Sequence, residues 1–231
     1  MLYVLDQTSA PAQIRRFVSD HEETFVEQIE RRIRLSLEPL LEGHQTETTA
    51  TQLFDRTVEV ADAVASYVLD RCRASERPVC AVRCTYCCYA PLEVLWPEAE
   101  ALARHLQVRL SAQERGRVVE ALSEHESSSR GLGNAERYAR ALACPLLDGE
   151  TGQCAVYPLR PLRCRGANSL HISPCERSCH EDDVDIEVNG FLYDTYVAAS
   201  RALQHVARAA NLPAEPRPLS SALREALERL P

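Results

Sequence analysis

Apolar residues recur at intervals of three and four through the first third of the chain. Over residues 11–37 this spacing predicts a helix, or a pair of helices, that ends at Pro39 and Gly43. A polar link over residues 46–51 follows, and a second apolar run predicts a helix over residues 52–72. The face of this second helix that we expect to be buried carries Leu53, Thr57, Val60, Ala61, Val64 and Val68.

Five further helices are predicted after residue 95. Pro97 stands where a first helical turn accepts proline, and helical sequence continues to residue 107. Ser111, with Glu114 three residues later, forms a capping box that opens the next helix, which ends among serines before Gly131. A short helix over residues 134–143 comes next, and helices over residues 191–210 and 221–230 complete the pattern.

Two stretches, residues 78–90 and 144–189, show almost no periodicity. The second is too long to remain structureless inside a compact domain unless something other than secondary structure organises it. A short strand or hairpin is expected near residues 150–157. The sequence therefore predicts an all-α, bundle-like single domain with a loop-built cysteine metal site. Its parts are an N-terminal helical segment (1–78), a cysteine-cluster region (79–190) and C-terminal helices on the same core (191–231).

The composition is that of a globular protein, with 231 residues, 45% of them hydrophobic and 26% charged. No apolar run approaches the roughly 18–20 residues of a membrane-spanning helix, and the first residues lack the blocks of a signal peptide. We therefore expect a cytoplasmic protein with no membrane partner. The formal net charge of −8 argues against nucleic-acid binding, although all 26 basic residues are arginines.

The chain contains ten cysteines, nine of which lie in the two irregular stretches. In a reducing compartment such clusters bind metal or carry out redox chemistry more often than they form disulfides. Thiolates a few residues apart can reach one ion from a tight turn, and a distant segment can complete the coordination shell. Because Cys87 and Cys88 are adjacent, either they bind different metals or only one of them is a ligand. The first cluster is Cys80, Cys84, Cys87 and Cys88, and the second is Cys144, Cys154, Cys164, Cys175 and Cys179.

Arginines flank the second cluster. Arg160, Arg163 and Arg165 surround Cys164, and no acidic residue occurs between Thr151 and Cys175. Guanidinium groups lower the pKa of nearby thiols and offset the charge of a thiolate-rich site. They also bind anions. We therefore predict that these three arginines are cofactor-binding residues and that an anionic small molecule binds near them.

Other residues have simpler interpretations. Cys72 lies on the apolar face of a predicted helix and is interpreted as a buried apolar residue. His180 and, less favourably, His171 are the histidines placed to replace a thiolate at zinc. The acidic residues Glu181, Asp182 and Asp183 lack the ligand spacing of a calcium loop and are interpreted as a solvated patch.

The cysteine pattern resembles a known family. Cys80-x3-Cys84-x2-Cys87-Cys88, followed by Cys144-Pro and by residues 154–166 (CAVYPLRPLRCRG), is similar to the YkgJ-type cysteine-cluster proteins, also called the CxxCxxCC or zinc- or iron-chelating domain. The resemblance covers roughly residues 79–179. The first spacing is three residues here, where the family name describes two. The resemblance implies eight metal-binding cysteines, which are Cys80, Cys84, Cys87, Cys88, Cys144, Cys154, Cys164 and Cys175.

Three functions fit this pattern. The first is a protein that holds zinc, iron or an iron–sulfur cluster for structure or storage. The second is an iron–sulfur enzyme that performs redox or group-transfer chemistry, which the arginines around Cys164 favour because they can bind an anionic substrate. The resemblance adds that the related flagellin lysine methylases carry an iron–sulfur centre. The third is a zinc-stabilised interaction module. Ligand type does not separate zinc from iron, but the absence of glycine after Cys87 and the Cys144-Pro145 pair favour iron.

Overall fold

A computed structural model of the chain describes residues 24–42, 50–81, 83–181 and 183–230. Within these ranges it contains nine α-helices and one short two-stranded sheet, which confirms the predicted all-α class. No helix among the described residues is both long enough and apolar enough to cross a bilayer. The helices are α1 (Phe25–Glu42), α2 (Ala50–Leu69), α3 (Trp96–Arg109), α4 (Ala112–Ser129), α5 (Asn134–Ala139), α6 (Leu162–Gly166), α7 (Ile172–Arg177), α8 (Gly190–Ala209) and α9 (Leu219–Arg229).

The first hydrophobic core lies between α1, α2 and α8, which pack against one another. Each of these helices has one apolar stripe, and burying it is what stabilises the group. Ile33, Phe54 and Leu203 come from the three helices and are fully buried. Burial of each such side chain contributes about 1.5–3 kcal/mol relative to exposure. The short helix α6 packs against α8 and adds Leu162 to this core.

The second core lies between α3, α4 and α9. Strand β1 (Glu93–Val94) precedes α3, and strand β2 (Arg217–Pro218) precedes α9. The two strands pair antiparallel, with Glu93 opposite Pro218 and Val94 opposite Arg217. This pairing brings the beginnings of α3 and α9 together. Helix α3 also packs against α2, so the two cores are neighbours.

The start signals predicted for α3 and α4 agree with the structure. Pro97 lies in the first turn of α3, and the hydroxyl of Ser111 accepts a hydrogen bond from the backbone N–H of Glu114 at the start of α4. Trp96, the first residue of α3, is largely buried in the second core.

The predicted end of the first helix is wrong at Pro39, because α1 continues through this residue to Glu42. A proline inside a helix removes the hydrogen bond to the carbonyl four residues earlier. Here that carbonyl belongs to Leu35, which is 54% exposed, so water can replace the missing bond. The part of the predicted helix before residue 24, the second predicted stop at Gly43 and most of the polar link lie outside the described residues.

Candidate metal centre

Backbone hydrogen bonds join the two irregular cysteine-bearing segments. The N–H of Val79 donates to the carbonyl of Ser169 at 2.9 Å, and the N–H of Cys144 donates to the carbonyl of Cys88 at 2.7 Å. The first segment contains the 3₁₀ turn Tyr86–Tyr89, which contacts both α5 and α7. Sequence segments more than fifty residues apart are therefore held side by side without any long helix or strand.

Buried apolar residues anchor the second segment at regular points. Leu146, Val156 and Leu162 are buried, and each lies two residues from a cysteine. The first two belong to the second core and Leu162 to the first. Packing of these residues fixes the backbone on which Cys144, Cys154 and Cys164 stand.

A tight turn returns the chain between Cys144 and Cys154. The carboxylate of Asp148 accepts hydrogen bonds from the backbone N–H groups of Glu150 and Thr151 at 3.0 and 2.7 Å. Gly152 has φ of +66°, a backbone conformation that glycine adopts without strain. The hairpin expected near residues 150–157 is thus a shorter element, a single bridge between Leu147 and Cys154.

Thiols from both segments line one cavity of about 760 Å³. All ten cysteines are free, and none forms a disulfide. The cavity also touches β1, the start of α3 and one side of α8. The cysteines on its wall are Cys84, Cys87, Cys88, Cys144, Cys154 and Cys164.

Burial and neighbouring sulfur atoms raise the pKa values of five of these thiols, which favours their protonated form. These are the thiols of Cys84, Cys87, Cys144, Cys154 and Cys164. The pKa of Cys144 is raised to about 11, mainly by burial and in part by the neighbouring Cys154 and Cys87. Burial also raises the pKa of the Cys164 thiol, again with contributions from Cys144, Cys87 and Cys154. The pKa of Cys87 is raised first by its hydrogen bond with Cys88 and then by burial. Cys87 is thus the common neighbour of cysteines from both segments.

The remaining cysteines of the two segments lie beside this group rather than on the cavity wall. Burial raises the pKa of Cys80, and Cys84, Cys175 and Cys87 add to that effect. Cys179, which was not among the eight predicted ligands, is almost fully buried, and its thiol donates to the carbonyl of Cys175 at 3.7 Å. Among the described residues, no three histidine, cysteine or carboxylate side chains are grouped closely enough to hold a metal ion as placed. The ligand set therefore stays a prediction.

Three residues that the sequence analysis set apart from the proposed ligands do not line the cavity; they are Cys72, His171 and His180. The thiol of Cys72 accepts a hydrogen bond from the side-chain amide of Asn189 at 3.1 Å and packs on the first core. The imidazole of His171 lies 3.3 Å from the carboxylate of Glu187, and the ring of His180 stacks edge-on against Tyr138. Neither histidine lines the cavity.

The three predicted arginines occupy different positions. Arg160 and Arg163 line the cavity, and the guanidinium of Arg160 lies 4.1 Å from the centre of the Tyr157 ring. Arg160 also lowers the pKa values of Cys87 and Cys154, against the larger effects that raise them. Arg165 instead donates to the carboxylate of Asp62 at 2.8 Å and to the carbonyls of Arg160 and Pro158. The ion pair of Arg165 with Asp62 therefore links α6 to α2.

Glu98 is a site residue that the sequence did not indicate. Its carboxylate is 2% exposed, lines the cavity, and accepts hydrogen bonds from the N–H groups of Leu95 at 2.7 Å and Leu162 at 2.8 Å. Burial raises its pKa to about 7. The sequence shows Glu98 in the first turn of a helix, but only the fold reveals that it also caps α6. It thereby fixes the backbone that carries Cys164.

A search of curated proteins and a search of solved structures give no significant match to this chain. A family model does match, and it covers residues 79–187, the segment that carries nine of the ten cysteines. The family is CxxCxxCC, described as "Putative zinc- or iron-chelating domain". The match confirms the resemblance seen in the cysteine pattern. Residues 79–187 of this chain therefore match the CxxCxxCC family of cysteine-cluster domains.

Proposed function

We propose that this protein binds a metal through clustered cysteine thiolates, and that the metal is iron, as an ion or an iron–sulfur cluster, rather than zinc. The observation that carries the proposal is the meeting of six thiols from two distant segments at one cavity. The proposed ligands are Cys80, Cys84, Cys87, Cys88, Cys144, Cys154, Cys164 and Cys175.

The donor set fits such a centre chemically. Thiolates are the ligands of iron–sulfur clusters and of many zinc sites, and all of these cysteines are free. Burial raises the pKa values of the Cys144 and Cys164 thiols, so binding would release protons and exchange S–H bonds for metal–sulfur bonds. Since no three donors are grouped tightly among the described residues, the proposal includes a closing of the two segments on the metal.

A bound metal would also explain why these segments are so irregular. Short turns and two helices of five and six residues carry the second segment. Metal–thiolate bonds would supply the cross-links that longer elements supply elsewhere, so the free energy of metal binding would add to that of folding.

Metal analysis of protein purified without oxygen tests the proposal. We expect iron in near-stoichiometric or higher amounts, with visible absorption from thiolate-to-iron charge transfer. A colourless protein with stoichiometric zinc would overturn the preference for iron but support thiolate binding. A protein without bound metal, which takes up neither iron nor zinc when reconstituted, would overturn the proposal.

Paired cysteine variants test the ligand set. Cys164→Ser should lower both the metal content and the free energy of unfolding, because its thiol is proposed to bind the metal. Cys72→Ser is the matched control, since its thiol bonds to Asn189 away from the cavity. It should keep full metal content. Equal metal loss in the two variants would contradict the division between ligands and structural cysteines.

The cavity favours a second candidate, an iron–sulfur enzyme for redox or group-transfer chemistry. A volume of about 760 Å³ exceeds what a metal centre alone fills and is in the range of small-molecule sites. A structure of the metal-loaded protein separates the two functions. An open coordination position facing the cavity would support catalysis, whereas a shell closed by four thiolates would contradict it.

A further inference from the structure

The cavity beside the cysteines has a positively charged wall in an acidic protein. Four arginines line it, Arg83, Arg160, Arg163 and Arg201, against only two carboxylates, Glu93 and Glu98. Both oxygens of Glu98 already accept backbone hydrogen bonds. The chain as a whole carries a formal charge of −8, so this excess of positive charge is local.

These arginines lack the ion pairs that several other arginines of the surface form. Arg104, Arg208 and Arg224, for example, pair with glutamates at 2.7–3.0 Å. None of the four cavity arginines forms an ion pair with a carboxylate of the described residues. Glu98 acts on Arg163 only as a longer-range charge.

Arg160 also carries a hydrogen-bond donor that has no acceptor in the described part of the chain. Its Nε atom is buried and has no hydrogen-bond partner among the described residues.

Helix α8 contributes the opposite wall. Positions 193, 197, 200 and 204 follow one another at helical spacing, and all four line the cavity. Tyr193 and Ser200 bring hydroxyl groups to this stripe, and Arg201 stands next to it. Asp194 and Glu27 act on Arg201 as longer-range charges. The rest of the lining is mainly apolar, with Leu92, Leu95, Leu146, Val156 and Leu219.

Two of these arginines are not explained by the thiols. Arg160 acts on Cys87 and Cys154, so its charge serves the proposed metal centre. Arg163 and Arg201 are not among the main causes of the raised cysteine pKa values, although they line the same cavity. Both arginines line the cavity, and neither forms an ion pair with a carboxylate of the described residues, so both are available to a ligand in this volume.

We propose that the cavity binds a small organic anion, a molecule with a carboxylate or phosphate group on an apolar body, beside the metal centre. The planar guanidinium groups of Arg163 and Arg201 would hold the oxyanion, because their paired N–H groups match its geometry. The apolar lining would hold the body. The inference rests on the proposed function, since it assigns a ligand to the volume that the metal centre leaves free.

Calorimetric titration of the metal-loaded protein with three matched probes tests the chemistry. Phenyl phosphate and benzoate combine an aromatic body with a phosphate or a carboxylate, and benzyl alcohol has the body without the charge. We expect at least one of the two anions to bind with a stoichiometry of one per chain. Its affinity should be about tenfold or more above that of benzyl alcohol. The tighter of the two identifies the oxyanion. If neither anion binds more tightly than benzyl alcohol, the inference is wrong.

Arginine variants locate the site. Arg163→Gln and Arg201→Gln should each weaken the preferred anion by about tenfold. Arg208→Gln is the control, because it removes the same charge from the same helix as Arg201→Gln. Arg208 pairs with Glu215 and does not line the cavity. This variant should leave affinity unchanged. Equal weakening by Arg208→Gln would mean that net charge, and not this cavity, attracts the anion.

Metal content, measured on the same samples, separates the two proposals. If the protein has its full metal content but binds no anion, the proposal of a cavity ligand is wrong and the proposal of a metal centre is unaffected. Metal loss in Arg163→Gln and Arg201→Gln, with no anion binding to the unmodified protein, would show that these arginines serve the thiolates only. A protein that binds the anion but no metal would overturn the proposed function and retain the site.

Discussion

Gly166 lies where α6 presses against α8, and replacing it with alanine tests how tightly the cysteine-bearing helix is held. A β-carbon added at Gly166 would lie 3.0 Å from the β-carbon of Tyr196 and 3.6 Å from the carbonyl oxygen of Tyr193. Ordinary carbon–carbon contacts are about 3.5–4.0 Å, so the two helices must separate by about 0.5–1 Å. The β-carbon of Tyr196 cannot swing aside, and the tyrosine hydroxyl is held by Asp62 at 2.7 Å.

The expected cost follows from two opposing contributions. Overpacking of this kind costs about 1–3 kcal/mol. Alanine gains about 0.5–1 kcal/mol over glycine inside a helix. We expect Gly166→Ala to lower the free energy of unfolding by about 0.5–2 kcal/mol. Because Gly166 is two residues from Cys164, metal content should fall as well.

Gly116→Ala is the matched control. Gly116 is exposed inside α4, and an added β-carbon there meets nothing within 4 Å. This variant should stabilise the protein by about 0.5–1 kcal/mol. Urea unfolding of both variants provides the comparison, with opposite shifts in midpoint and unchanged slopes. If Gly166→Ala raised the midpoint as Gly116→Ala does, the close packing of α6 against α8 would be refuted.

Three further predictions concern other helices. Tyr196→Phe removes a hydrogen bond to Asp62 and should cost about 0.5–1.5 kcal/mol in urea unfolding, whereas Tyr193→Phe, on a half-exposed ring, should cost little; equal costs would count against the bond. Burial raises the pKa of Asp194 from 3.8 to about 6, so the folded state binds this proton more tightly than the unfolded chain. The associated stability is full below pH 3.8 and is lost as the pH rises through 6. In thermal unfolding between pH 4 and 6, the stability of Asp194→Asn should therefore fall less with rising pH than that of the unmodified protein. An identical dependence of stability on pH in the two proteins would exclude the effect. Ser111→Ala removes the N-cap of α4 and should cost about 1 kcal/mol with metal content unchanged, since the cap lies outside the cavity; any metal loss would show that α4 supports the centre.

The sequence predicted those helices whose stability comes from one apolar stripe. The 3.6-residue period of α2 and α8 is visible without any partner, and the capping box of Ser111 and Glu114 is local in sequence. The passage of α1 through Pro39 could not be predicted in this way. It depends on the exposure of Leu35, which is decided by tertiary packing.

The candidate site was predictable only as a set of cysteines. Their spacing identified the two segments and the family, but it did not indicate a cavity, because the cavity also needs β1, α8 and the start of α9. Arg201 and Glu98 are ordinary helical residues in the sequence. Glu98 becomes a site residue because its carboxylate reaches the N–H of Leu162, 64 positions away.

The pairing of β1 with β2 has a consequence for synthesis on the ribosome. The last part of the cavity wall, Pro216 and Leu219, is translated long after Cys84 and Cys164. Until β2 emerges and joins β1, the nascent chain presents its thiols with that side open. The proposed metal would therefore have its widest access to these sulfur atoms before α9 leaves the exit tunnel.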